Sequence, residues 1–175
     1  MTPAEAITRV KDWWGEARAN RLFWRGLAGA LAIIVLDQAT KYWIVHQVGL
    51  PQLGKIEISG IFDLSYVENR GASFGLLHGQ RWLLALIASG VAGVLIWWLG
   101  RMRRPLGAAA IACIVAGAAG NLYDRLSYGY VVDFLDFSGL YFPWVFNVAD
   151  VSINLGIALL ILDAWRAGQA EKQTG

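Results

Sequence analysis

At 175 residues the chain has the length of one domain, yet 57% of it is hydrophobic and only 16% charged, with a mean hydropathy of +0.46. A soluble domain averages roughly 45–50% apolar and about 25% charged residues, so this is a membrane protein's composition; disorder, coiled coil, collagen and disulfide scaffolds are excluded. The net charge of +2 says little beside where the charges sit, and the one cysteine, Cys113, lies in an apolar run where it cannot form an internal disulfide and is assigned to packing.

Residues 1–21 carry Ile7, Val10, Trp13 and Trp14 among basic residues, the pattern of a helix lying on the inner membrane surface. They lack the apolar stretch and small-residue cleavage site of a secretory signal, so the first span is expected to be retained. That span covers about 22–45 and is apolar apart from Arg25, Asp37 and Lys41. A long loop follows, in which Lys55–Tyr66 alternates apolar and polar residues about Gly60 and predicts a small β-hairpin. Next in this loop comes Glu68–Gly75, a turn with exposed backbone groups. The second span, about 82–100, has no charge over nineteen residues, which at about 1.5 Å per residue nearly matches a hydrocarbon core of about 30 Å. The third, about 106–124, holds Gly107, Ala110, Gly117 and Gly120, small residues that permit close helix approach. The loop 126–144 is too apolar for a solvated linker and is expected to lie on the membrane surface. The fourth span, about 145–163, carries Asn147, Asp150 and Asn154, and residues 166–175 form a tail.

Lysine and arginine are retained on the cytoplasmic side. Ten of them, Arg9, Lys11, Arg18, Arg21, Arg25, Arg101, Arg103, Arg104, Arg166 and Lys172, fall on the segments joined by even crossings, against Lys55, Arg70 and Arg81 in the other two loops. Both termini are therefore expected in the cytoplasm and both larger loops outside. There are no internal repeats, no nucleotide-binding glycine loop and no histidine–cysteine cluster of metal spacing; His46 and His78 fall at the ends of the first outer loop and read as interfacial. Neither a cofactor nor a nucleic-acid partner is expected.

Ionisable groups within a bilayer are functional candidates until a partner explains them. Asp37 and Lys41, four apart on one helix, are within ion-pair reach and read as a self-neutralising pair that fixes packing. Asp124 and Arg125 close the third span beside Asn121, which suits either an outer-surface polar network or a role in a site. Asp133, in Val131-Val132-Asp133-Phe134, and Asp150, about one turn into the fourth span, have no basic residue nearby in sequence. The third helix ends and the fourth begins on the outer side, so both acids reach the same boundary. Two acids that face one another share a proton and are driven to different apparent pKa values. Such a pair can add water to an amide, one acid taking a proton from water and the other donating to the oxyanion or leaving nitrogen. Paired acids also serve proton-coupled transport, so a small transporter is the alternative, although transporter sites tend to lie near the midplane. A non-enzymatic assembly subunit gives no account of the unpaired acids.

Five ordered blocks carry a family resemblance. Asp37-Gln38-Ala39-Thr40-Lys41 resembles a DQxTK signature and Asn69-Arg70-Gly71-Ala72-Ser73-Phe74-Gly75 an NxGxxFG block. Gly117 with Gly120-Asn121-Leu122-Tyr123-Asp124-Arg125 resembles GxxGNxxDR, Val131–Phe134 resembles VVDF, and Phe146-Asn147-Val148-Ala149-Asp150 resembles FNxAD. Together they are similar to the lipoprotein signal peptidases, or signal peptidase II, bacterial membrane aspartyl proteases. The resemblance implies that Asp133 and Asp150 are the catalytic pair. It makes Asp124 a support not cleanly separated from catalysis, places Asn69, Gly71, Asn121, Arg125 and Asn147 along the substrate cleft, and gives Asp37 and Lys41 a part in site organisation. Its substrate is a prolipoprotein whose lipobox cysteine carries a diacylglyceryl group, cut just before that cysteine; membrane lipids are the other partner. Residues before about Arg21 fall outside the shared pattern. The expected architecture is an all-α membrane protein, a four-transmembrane-helix bundle in the inner membrane. It should carry a small extracytoplasmic β-hairpin or cradle on one wall of the cleft, and a surface-lying loop or helix as a lid over the active site.

Overall fold

The computed structural model describes residues 2–71 and 80–174. Residues 72–75 of the second sequence block and His78 lie outside them. The chain forms α1 (Pro3–Ala19), α2 (Arg21–Tyr42) running into a π-helical turn (Trp43–Gln47), a short α3 (Leu50–Leu53), β1 (Lys55–Glu57) and β2 (Asp63–Asn69). It continues with α4 (Arg81–Arg101), α5 (Pro105–Ser127), β3 (Val131–Asp136), a 3-10 turn (Ser138–Leu140), β4 (Val145–Phe146) and α6 (Val148–Thr174). Among the described residues, four helices are long and apolar enough to cross a membrane: Arg21–Gln47, Arg81–Arg101, Pro105–Ser127 and Val148–Lys172.

Their burial explains their composition. Over its most apolar stretch α5 is 61% buried against 22% for each of the others, so the alanine- and glycine-rich helix is the central one and packs on α2, α4 and α6. Glycine is needed where backbones meet: a Cβ at Gly117 would collide with the Ala149 carbonyl, and one at Gly156 would lie 2.7 Å from the Ala110 carbonyl oxygen. Leucine-rich α4 instead turns Leu86 and Val94 outward, as expected of a lipid-facing helix.

The fourth helix begins at Val148 and not at about 145, because Val145 and Phe146 pair with β3 and Asn147 caps the helix. It continues to Thr174 through the segment read as a tail. The N-terminal segment is helical, and α1 starts with a capping box in which Thr2 and Glu5 satisfy each other's backbone N–H. It folds back onto the bundle: Ala17 is buried, Trp13 Nε1 donates to the Trp97 carbonyl at 2.9 Å, and Asn20 Nδ2 donates to the carbonyls of Gly100 and Met102.

The strands form one antiparallel sheet in the order β1-β2-β3-β4. This corrects the expectation for the second outer loop. Its first half is not a surface lid facing the hairpin across a cleft; it is β3, an inner strand hydrogen-bonded to β2 with Val67 opposite Asp133 and Asn69 opposite Val131. Val131, Val132 and Phe134 are buried, Val132 and Phe134 clustering with Ile44 and Leu50. A short apolar run suits a strand buried on both faces as well as a membrane surface, and only its pairing distinguishes them. The second half does expose apolar side chains, with Leu140, Tyr141, Phe142 and Trp144 all outward.

Candidate active site

The site is assembled where the end of α5, the start of α6 and the edge-to-edge pair β2–β3 converge. Its central device is a helix cap. Asn147 accepts the Asp150 N–H through its side-chain oxygen at 2.9 Å, while Asp150 Oδ2 accepts the Asn147 N–H at 3.3 Å. This reciprocal arrangement is a capping box, and it fixes Asp150 at the opening of the helix, with its other oxygen accepting from Asn121 Nδ2 at 2.8 Å. The capping amide then reaches across: Asn147 Nδ2 donates to Asp133 Oδ1 at 2.6 Å and also meets Asn121 Oδ1 and the Val132 carbonyl. Asn69 Nδ2, from β2, donates to Asp133 Oδ2 at 3.0 Å. Asp133 is 1% exposed, and Asp150 is half-buried. One asparagine thus joins the two acids, one on strand β3 and the other on helix α6. No ion pair to either acid is found among the described residues. Burial, followed by the nearby charge of Asp150, pushes the Asp133 carboxyl up to about 7, against the donors Asn69 and Asn147 that favour its ionised form.

Behind this pair lies a fully enclosed charge cluster. Lys41 Nζ is 2.8 Å from Asp37 Oδ2 and 2.8 Å from Asp124 Oδ2, and donates to Asn121 Oδ1 at 3.2 Å. Asp37 and Asp124 are 0% exposed and Lys41 4%. Asp37 and Lys41 are therefore not the closed pair the sequence suggested, because the ammonium serves a second carboxylate from another helix. Asp124 does not join Arg125 on an outer surface either; adjacent helical residues do not face each other, and Asp124 points into the bundle. Its oxygens also accept the Val132 N–H and Gln38 Nε2. Asp37 Oδ1 accepts the Ala149 N–H at 2.9 Å, placing a buried carboxylate on the positive end of α6. The cluster therefore holds both strand β3, through Val132, and helix α6, through Ala149, next to the residues that bear the two acids.

Arg125 turns the other way. Its guanidinium donates to the Asn121 carbonyl and, at 3.1 Å, to the Gly71 carbonyl, while the Gly71 N–H donates to Asn69 Oδ1. It anchors the end of β2, so that Asn69 meets Asp133. All ten residues singled out from the sequence thus fall in one connected network. Gln38 was part of a motif but had no assigned role; its amide links Asp37, Asp124 and the Gly120 carbonyl. An amide beside a buried helical acid was the available signal. Gly120 supplies the space, since a Cβ there would lie 2.6 Å from Asp37 Oδ2.

The chain is similar to known proteins along most of its length. Residues 29–166 match the family model described as "Signal peptidase (SPase) II". The lipoprotein signal peptidase of Caulobacter vibrioides is 46% identical over 150 residues, 83% of this chain and 89% of that protein. That of Pseudoalteromonas translucida is 39% identical over 165 residues, 90% and 96% of the two chains. Among solved structures, a bacterial membrane enzyme determined at 2.3 Å matches with a TM-score of 0.73 at 28% identity, covering 81% of this chain and 88% of that one. With a four-span bundle and two amide-bridged acids at one end of it, the chain belongs to the signal peptidase II family and is a membrane peptidase.

Proposed function

We propose that this peptidase removes the signal peptide from prolipoproteins by cleaving before a lipobox cysteine that already carries a diacylglyceryl group, with Asp133 and Asp150 jointly activating water. The observation that carries the reading is the Asp133–Asn147–Asp150 link, which couples two acids without neutralising either. Asp133, holding its proton up to about pH 7, is the general acid that protonates the oxyanion or leaving nitrogen. Asp150, the more open of the two, is the base that takes a proton from water.

Arg125, Gly71, Asn69 and Asn121 form the wall along which the substrate backbone lies, and the Lys41 cluster keeps that wall and the α6 cap in register. Signal helix and acyl chains are both confined to the bilayer, so the scissile bond is held near the headgroup boundary, where the acids sit at a bundle end. Such confinement draws on the roughly 7–11 kcal/mol that orientation can supply. The bundle lies in the inner membrane with both termini cytoplasmic and the acids outside, in keeping with the basic residues near the opposite ends of the spans.

Asp133→Asn and Asp150→Asn are each expected to give a folded, inserted protein that leaves lipidated precursor uncleaved in a reconstituted assay. Normal processing by either variant removes that residue from the catalytic pair.

A further inference from the structure

Helix α1 has no part in the chemistry above, and it precedes the residues that match the family model. Between it and the last turn of α4, at the end of the bundle opposite the acids, lies a cavity of about 560 Å³, within the roughly 300–1,000 Å³ range of small-molecule sites. Its lining is specific in charge. Arg9, Asp12 and Glu16 come from α1 and Arg101 from α4, with Trp13 and Trp97 between them. Two guanidiniums and two carboxylates thus face one space. The walls are positioned by the Trp13–Trp97 hydrogen bond at 2.9 Å, by the Arg101 guanidinium 4.3 Å over the Trp97 ring, and by a loose Arg101–Glu16 pair at 3.9 Å.

A simple anion would meet two carboxylates here, and a simple cation two guanidiniums. The lining suits a ligand with both charges a few bonds apart. Guanidinium pairs with phosphate through paired N–H donors, and carboxylates accept best from an ammonium that still carries N–H groups. The place also selects the source of such a ligand. Arg101 closes a helix long and apolar enough to span a membrane, Trp residues favour the headgroup level, and Val94, one turn before Trp97 on the same face, is 65% exposed. We infer that the cleft between α1 and α4 binds a zwitterionic phospholipid with a primary ammonium, a phosphatidylethanolamine. Its phosphate lies on Arg9 and Arg101, its ammonium on Asp12 and Glu16, and its acyl chains along Val94.

The test uses the full-length protein in detergent, with lipid retention measured by native mass spectrometry. The probes are dioleoyl phosphatidylethanolamine, its mono- and dimethylated forms, phosphatidylcholine and phosphatidylglycerol. Phosphatidylethanolamine is expected to bind about tenfold more tightly than phosphatidylcholine or phosphatidylglycerol, with affinity falling at each methylation. Asp12→Asn combined with Glu16→Gln should bring the two zwitterionic lipids within about threefold of each other while leaving precursor cleavage unchanged. Equal binding of the ethanolamine and choline lipids by the unmodified protein overturns the inference. So does tighter binding of phosphatidylglycerol, or a preference that survives removal of both carboxylates. The methylation series decides alone if the double variant does not fold.

Discussion

Asp133→Asn should stabilise the protein at alkaline pH while abolishing its activity. The Asp133 carboxyl moves from its ordinary 3.8 to about 7 in the fold, which at 1.36 kcal/mol per tenfold corresponds to about 4 kcal/mol. The sign follows from proton counting. Below pH 3.8 the group is protonated both folded and unfolded; between 3.8 and about 7 only the folded chain keeps its proton, so stability falls as pH rises. Above about 7 the whole penalty is present. Asparagine cannot ionise and escapes it, but its NH₂ must face one of the two amide donors now bonded to the carboxylate, Asn69 Nδ2 or Asn147 Nδ2. That mismatch costs about 1–3 kcal/mol and does not depend on pH. The change between two pH values therefore isolates the charge: relative to the parent, the variant should gain about 3 kcal/mol between pH 5 and pH 8. Unfolding by sodium dodecyl sulfate in mixed micelles at both pH values measures it. A stability difference that stays constant across that interval refutes the account of Asp133 as a buried acid held protonated by its surroundings.

Lys41→Met leaves Asp37 and Asp124 enclosed without their cation and should cost about 3–5 kcal/mol; adding Asp37→Asn and Asp124→Asn should recover much of it, a gain absent if the cluster is not coupled. Gly117→Ala drives a methyl into the Ala149 carbonyl, so it should cost about 1–3 kcal/mol of overpacking and reduce turnover by displacing the α6 cap; unchanged thermal stability contradicts the close approach. Asn147→Ala removes the cap at a cost of about 1 kcal/mol but also the amide joining both acids. Its turnover should fall far more than its stability, and a KM effect alone would show that Asn147 only binds substrate.

The four spans were legible because hydrocarbon imposes a length and excludes charge, so uncharged runs such as 82–100 announce themselves one segment at a time. The same exclusion made Asp133 and Asp150 conspicuous: an acid in an apolar string with no local cation requires a reason. Asn147 was legible as part of a motif but not as the link between the acids, because a cap is recognised only when the helix start is known, and that start depended on β4 pairing with β3. The partner of Asp124 was equally hidden. Its sequence neighbour Arg125 offered the obvious charge, and the approach of α2 to α5 at Gly120 gave it Lys41 instead. Strand β3 could not be told from a surface loop by its apolar run, since burial in a sheet and contact with lipid select the same side chains. Hydropathy and charge are properties of single segments, and they determined the spans and the candidate acids. Register, capping and the sharing of Lys41 between helices are properties of pairs of segments, and only the packed tertiary structure decides them.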